Sequence, residues 1–152
     1  MSDPSLKDRL RDETIGALRA GEKVRLGALR LLSAAIKNRE VEVGHELSDD
    51  EVREVAGREV KKRGESIEAF ESAGRAELAE KERAERDAIA GYAPEQLPDE
   101  AVDALIDEAV TAIGAASAGD LGKVMGFVMG KARGKVDGDA VQRKVRARLA
   151  GD

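Results

Sequence analysis

The stretch Gly119-Asp-Leu-Gly-Lys-Val-Met-Gly-Phe-Val-Met-Gly-Lys-Ala-Arg-Gly-Lys-Val-Asp-Gly138 places glycine at every fourth position from Gly122 through Gly126, Gly130 and Gly134 to Gly138, inside a run otherwise patterned as a helix. At about 100° per residue, Leu121, Val124, Met125, Val128, Met129 and Ala132 share one arc. Lys123, Phe127 and Lys131 fall opposite, and the glycines lie on the seam between. Each glycine inside a helix forfeits roughly 1 kcal/mol relative to alanine, so bare backbone must return something at those points. Two readings stand side by side: the seam packs closely against a neighbouring helix, or it is a wall of backbone beside lysines on which phosphates sit.

Working outward, the whole chain has the same helical character. Its 152 residues suffice for one ordinary domain or two small ones. Aromatics are 2% of a 41% hydrophobic content, so the core must be Leu, Val, Ile and Ala. With 38% charged residues, i,i+4 pairs such as Glu77/Lys81 and Glu82/Arg86, and no strand alternation of useful length, the fold class is all-α. The absence of cysteine removes disulfides and thiolate metal sites. No apolar leader region follows Met1 and no membrane-length apolar span exists, so a cytoplasmic protein is expected. A net charge of −5 argues against indiscriminate nucleic-acid binding. From Leu121 to Leu149, however, basic residues dominate, which reads as a locally basic tail.

Taken in order, a first helix runs from about Ser5 to Ala20 with Leu6, Leu10 and Leu18 on one face and Gly21 as its stop. A second starts near Glu22, carries Leu29, Leu32, Ala35 and Ile36, and fades at Val43-Gly44. His45 falls in the loop beyond. Ser48-Asp-Asp-Glu51 is a capping box opening a third helix through Val52, Val55, Ala56, Val60, Ile67 and Phe70 to about Ser72. A charge-dense fourth (Glu77 to Ala90) reads as a solvated face. Pro94 and Pro98 then break the pattern. This divides the chain into an N-terminal domain of about four helices (1–92), a proline hinge (93–98) and a three-helix tail (99–152). In the tail Asp99 is expected to cap a helix ending at Gly114 and Ser117 to cap the glycine-striped helix. Gly134 to Gly138 forms a loop, and Val141, Val145 and Leu149 mark the last helix.

No catalytic constellation emerges. Gly122-Lys123 lacks the glycine and the Ser/Thr that a phosphate loop requires at Ser117 and Val124. Asp49/Asp50 and Asp137/Asp139 sit where helices begin and serve amides there. No serine is paired to a base at motif spacing, and His45 lacks companions for a metal site. Neither a cofactor nor a metal is expected.

Several segments together resemble the GatB/YqeY domain family. They are Arg30-Leu-Leu-Ser-Ala-Ala-Ile-Lys-Asn38, Ala73-Gly-Arg-Ala-Glu-Leu-Ala-Glu-Lys-Glu82, Tyr92-Ala-Pro-Glu-Gln-Leu97, Gly122-Lys-Val-Met-Gly126 and Gly134-Lys-Val-Asp-Gly138. Their order covers nearly the whole chain and is similar to a YqeY-like protein. The last two resemble the tail of the B subunit of the aspartyl/glutamyl-tRNA amidotransferase, a helical element that contacts tRNA. The resemblance implies RNA-facing Lys123, Lys131, Arg133 and Lys135, with Gly122, Gly126, Gly134 and Gly138 as turns and seams that let them approach. It implies carbon-nitrogen ligase activity with glutamine as amido donor only through relatives, because this chain has no counterpart of the catalytic cradle. The expected partners are tRNA and an amidotransferase or aminoacyl-tRNA-related protein, with no membrane and no DNA. Two other readings remain: a helical protein-protein adaptor working through its first domain, and a component of an amidotransferase whose partners act in trans.

Overall fold

Seven α-helices and two short 3-10 turns make up the computed structural model, which describes residues 3–151. Met1, Ser2 and Asp152, at the outer ends of the two expected domains, lie outside the described residues. No strand occurs among those described, so the fold is all-α. No helix among them is long and apolar enough to cross a membrane. The chain divides into two compact units, Met1–Pro94 and Glu95–Asp152.

The first unit holds α1 (Leu6–Ala20), α2 (Lys23–Val43), α3 (Asp49–Ser72), α4 (Ala76–Ile89) and a 3-10 turn at Ala90–Tyr92. Ser5 caps α1 by accepting the Asp8 N–H, and Gly21 ends it in the left-handed conformation. A second device at this start was hidden in the sequence: Asp49, the first residue of α3, accepts the Leu6 N–H at 3.0 Å. The capping box is formed, with Ser48 and Glu51 exchanging hydrogen bonds at 3.2 and 3.1 Å. Leu6, Leu10, Leu29, Leu32, Val52 and Ile89 share one core. Leu18 does not join it; Ala17 is fully buried and Leu18 is 56% exposed. Its position lies about 100° away from Ala17, beyond the arc that α2 covers.

Helix α4 also differs from its expected role as a solvated charged face. It packs along α3 and α2 and buries Ala79 and Ile89. Its Glu82 and Glu85 clasp the buried Arg63 guanidinium of α3, Glu82 at 3.2 Å. Tyr92 is buried, with the Arg9 guanidinium 5.9 Å from its ring centre. Burial, together with the Glu13 carboxylate, pushes its phenol well above the ordinary range.

Glu40 ties three parts of this unit together. Its carboxylate accepts from Lys7 of α1 at 2.6 Å and from the Leu47 N–H at 2.9 Å. The Lys7 hydrogen bond first, then the Leu47 amide, hold its pKa below the usual value. A carboxylate with a depressed folded pKa adds stability above its unfolded pKa of about 4.5 and loses it as pH falls through the folded value. Glu40→Gln is therefore expected to flatten the decline of unfolding free energy below about pH 4.5. A denaturant series from neutral to acidic pH checks this. An acid slope identical to wild type would remove Glu40 from the account.

The second unit contains α5 (Asp99–Ile113), a 3-10 turn at Ala118–Asp120, α6 (Leu121–Lys131) and α7 (Gly138–Leu149) around Val102, Ile106, Val124, Val128, Val141 and Val145. Two expected caps change place. Pro98, not Asp99, occupies the cap position of α5, with no side-chain bond there. Ser117 opens the 3-10 turn rather than α6. Asp120 instead accepts the Ala116 and Ser117 N–H groups at 2.9 and 3.3 Å, and these bonds hold its carboxyl low.

Candidate nucleic-acid interface

Helix α6 turns Val124 and Val128 into the core of its unit, with Ala132 buried just beyond its end. Leu121, Met125 and Met129 are half-buried beside them, as the helical arc requires. Phe127 was expected opposite this arc, and it is instead partly buried against the core, with Lys131 Nζ 4.7 Å from its ring centre. It is therefore not an open stacking platform.

The glycines decide between the two readings of the seam. Gly122, Gly126 and Gly130 are exposed, and a Cβ added at any of them meets no packed neighbour within 4 Å. The close-packing reading fails, because no element of the unit uses the bareness of this face. Gly138 differs, since a Cβ there would touch Met129 Cε at 3.7 Å. Gly134 takes φ 78°, which only glycine adopts without strain, and so allows the turn out of α6.

That turn is held from a distance. The Leu97 N–H donates to the Lys135 carbonyl at 2.8 Å and Gln96 Nε2 to the Gly134 carbonyl at 2.9 Å. The motifs Tyr92–Leu97 and Gly134–Gly138 thus meet through backbone groups. Residues 96 and 97 are clamped onto this turn, while Pro94 Cδ lies 3.4 Å from the position of a Cβ on Gly57 in the first unit.

Among the candidate cations, Lys123, Lys131, Arg133 and Lys135 are all exposed. Lys123 lies on α6 beside the glycine face, and Arg133 and Lys135 flank Gly134 in the clamped turn. Lys131 is engaged, bonded to Glu108 of α5 at 2.6 Å. Helix α5 likewise pairs Asp103 with Lys144 at 2.8 Å and Asp107 with Arg148 at 3.2 Å. The Asp103 hydrogen bond raises the Lys144 pKa. The stretch from Leu121 to Leu149 is basic as read, but α5 carboxylates engage Lys131, Lys144 and Arg148 and neutralise one flank of it. Arg143 and Arg146 of α7 are exposed and lie on other flanks of α7 than Lys144 and Arg148. They are further candidate cations beside those that the resemblance implies.

His45 stands exposed in its loop with Nδ1 2.8 Å from the Glu46 carbonyl. No cluster of three or more His, Cys, Asp or Glu suited to a metal occurs among the described residues. In the first unit, a groove of about 400 Å³ runs between α1 and α2, lined by Lys7, Arg11, Ile15, Ile36, Lys37 and Glu40 among others.

A family model described as Yqey-like protein matches residues 7–149. The chain belongs to the YqeY-like family. This membership is consistent with the GatB/YqeY resemblance carried by its motifs, and the match spans both YqeY-like units. No curated protein matches the chain.

Proposed function

We propose that this YqeY-like protein is a cytoplasmic accessory module that binds tRNA through the glycine face of α6 and the clamped turn beyond it. The observation that supports the reading is the exposure of Gly122, Gly126 and Gly130 with nothing packed upon them. Together they cost the helix roughly 2–3 kcal/mol with no internal return. Bare backbone lets a sugar-phosphate chain come within van der Waals reach of the helix, which brings phosphates to Lys123, Arg133 and Lys135. With Phe127 half-buried, shape and backbone of a folded RNA suit this surface better than stacked single-stranded bases. Carbon-nitrogen ligase chemistry with glutamine as amido donor belongs, in this reading, to an amidotransferase or aminoacyl-tRNA-related protein supplied in trans.

Full-length protein is expected to bind tRNA in the micromolar range at moderate salt, with log affinity falling against log salt by somewhat under one per phosphate contact. Because Lys131 must share itself with Glu108, about three contacts are expected. Substituting Lys123, Lys131, Arg133 and Lys135 together by alanine should remove the salt-dependent binding, while a single-stranded RNA of equal length binds wild type more weakly. Equal binding of tRNA by the quadruple variant at the same salt would reject the proposal. That outcome would favour the adaptor reading, for which the α1/α2 groove is the supporting observation.

A further inference from the structure

Helix α2 buries one face and leaves the other bare along its length. Ala28, Leu29, Leu32 and Ile36 enter the core. On the opposite arc Val24, Gly27, Leu31, Ala34, Asn38 and Val41 are all exposed, Leu31 by 55% and Val41 by 76%. The intervals between them alternate three and four residues. That is a heptad seam, with Val24, Leu31 and Asn38 at a positions and Gly27, Ala34 and Val41 at d positions. It occupies a helix of 21 residues, about 31 Å long.

We propose that this seam pairs with the same seam of a second copy of the chain, parallel and in register. The inference stands on the first unit alone and does not depend on RNA binding. Asn38 selects the register. In a parallel in-register pair its amide meets the same amide of the second copy and both are satisfied, whereas any other register buries it against an apolar side chain. Charge selects the direction. The g positions Lys23, Arg30 and Lys37 are all cationic, and antiparallel pairing would set g against g, cation facing cation. Parallel pairing instead brings Lys37 toward Glu42 of the other copy, at the following e position, with opposite sign. Gly27 and Ala34 leave room for close approach of the two backbones, and a Cβ at Gly27 meets no packed neighbour within 4 Å in the single chain.

The test uses full-length protein in sedimentation velocity over a concentration series, after RNase treatment. Wild type should show a concentration-dependent dimer. Leu31→Lys should weaken association about tenfold or more with unchanged helicity, and with the melting temperature of wild type at dilutions where both chains are monomeric. Lys37→Glu should weaken it too, and adding Glu42→Lys to that chain should restore it. Because the chain has no cysteine, direction is read by oxidative crosslinking: Val24→Cys, Asn38→Cys and Val41→Cys should each crosslink to themselves. A mixture of the Val24→Cys and Val41→Cys chains should give no mixed product. A monomer at every concentration, a dimer indifferent to Leu31→Lys, or mixed crosslinks between positions 24 and 41 would each overturn the proposal.

Discussion

Replacing Gly122, Gly126 and Gly130 together by alanine is expected to raise the stability of the second unit by about 2–3 kcal/mol and to weaken tRNA binding at the same time. The stabilising part comes from local physics alone. All three lie within α6, and a Cβ at each has open space, so alanine removes backbone entropy from the unfolded chain without strain in the folded one. For a unit of this size each kcal/mol moves the melting temperature by about 4–8 °C, so a shift of roughly 10 °C or more should appear. The functional part rests on the proposed RNA contact, since three methyl groups hold a phosphate chain off the helix. Losing one well-made contact to a charged group costs about 1.5–3 kcal/mol, or roughly tenfold to a hundredfold in affinity. A variant that is stabilised and still binds tRNA as wild type would detach the glycine face from RNA. One that is destabilised would contradict the openness of that face.

Arg63→Ala should destabilise the first unit by about 3 kcal/mol, near the lower end of the usual cost of removing one partner from a buried ion pair. The Arg63 side chain is 10% exposed and its guanidinium is shared by Glu82 and Glu85, whose side chains are 22% and 13% exposed. Their partial access to water keeps the effect from the upper end of that range. Removing the cation leaves two carboxylates facing each other in a half-buried site, which costs more than the pair itself contributes. The same substitution in a Glu82→Gln, Glu85→Gln background should therefore cost distinctly less, and chemical denaturation of the four proteins measures the coupling. A loss below about 0.5 kcal/mol for Arg63→Ala alone would mean that α3 and α4 are held by apolar packing only.

Much of this fold is legible in the residues. The caps at Ser5 and Ser48 and the stop at Gly21 are local chemistry: a hydroxyl three residues before an amide, or a residue able to take positive φ. Residue order alone reveals them because nothing distant competes with them. The apolar arcs of α2, α3 and α6 are equally plain, since 3.6-residue periodicity fixes which side chains share a face. The motifs that carry the family are legible in the same way.

What the periodicity does not say is which arc a neighbour covers. Leu18 and Ala17 are adjacent on α1, and only the placement of the helices packed on α1 decides that Ala17 is buried and Leu18 is not. The glycine seam is compatible with packing or openness until the positions of α5 and α7 leave it open. Arg63 finds its carboxylates 19 and 22 residues away, Asp49 reaches the start of α1 across 43 residues, and α5 neutralises Lys144 and Arg148 across 41. The Gly134 turn is closed by Gln96 from 38 residues away. Sequence determined the helices, the ends set at Ser5, Gly21 and Ser48, and most of the apolar faces, because those depend on interactions within a few residues. Tertiary structure decided which charges are spent inside the protein and which bare surfaces are left over, because pairing and exposure depend on groups that only the packed helices bring within reach of one another.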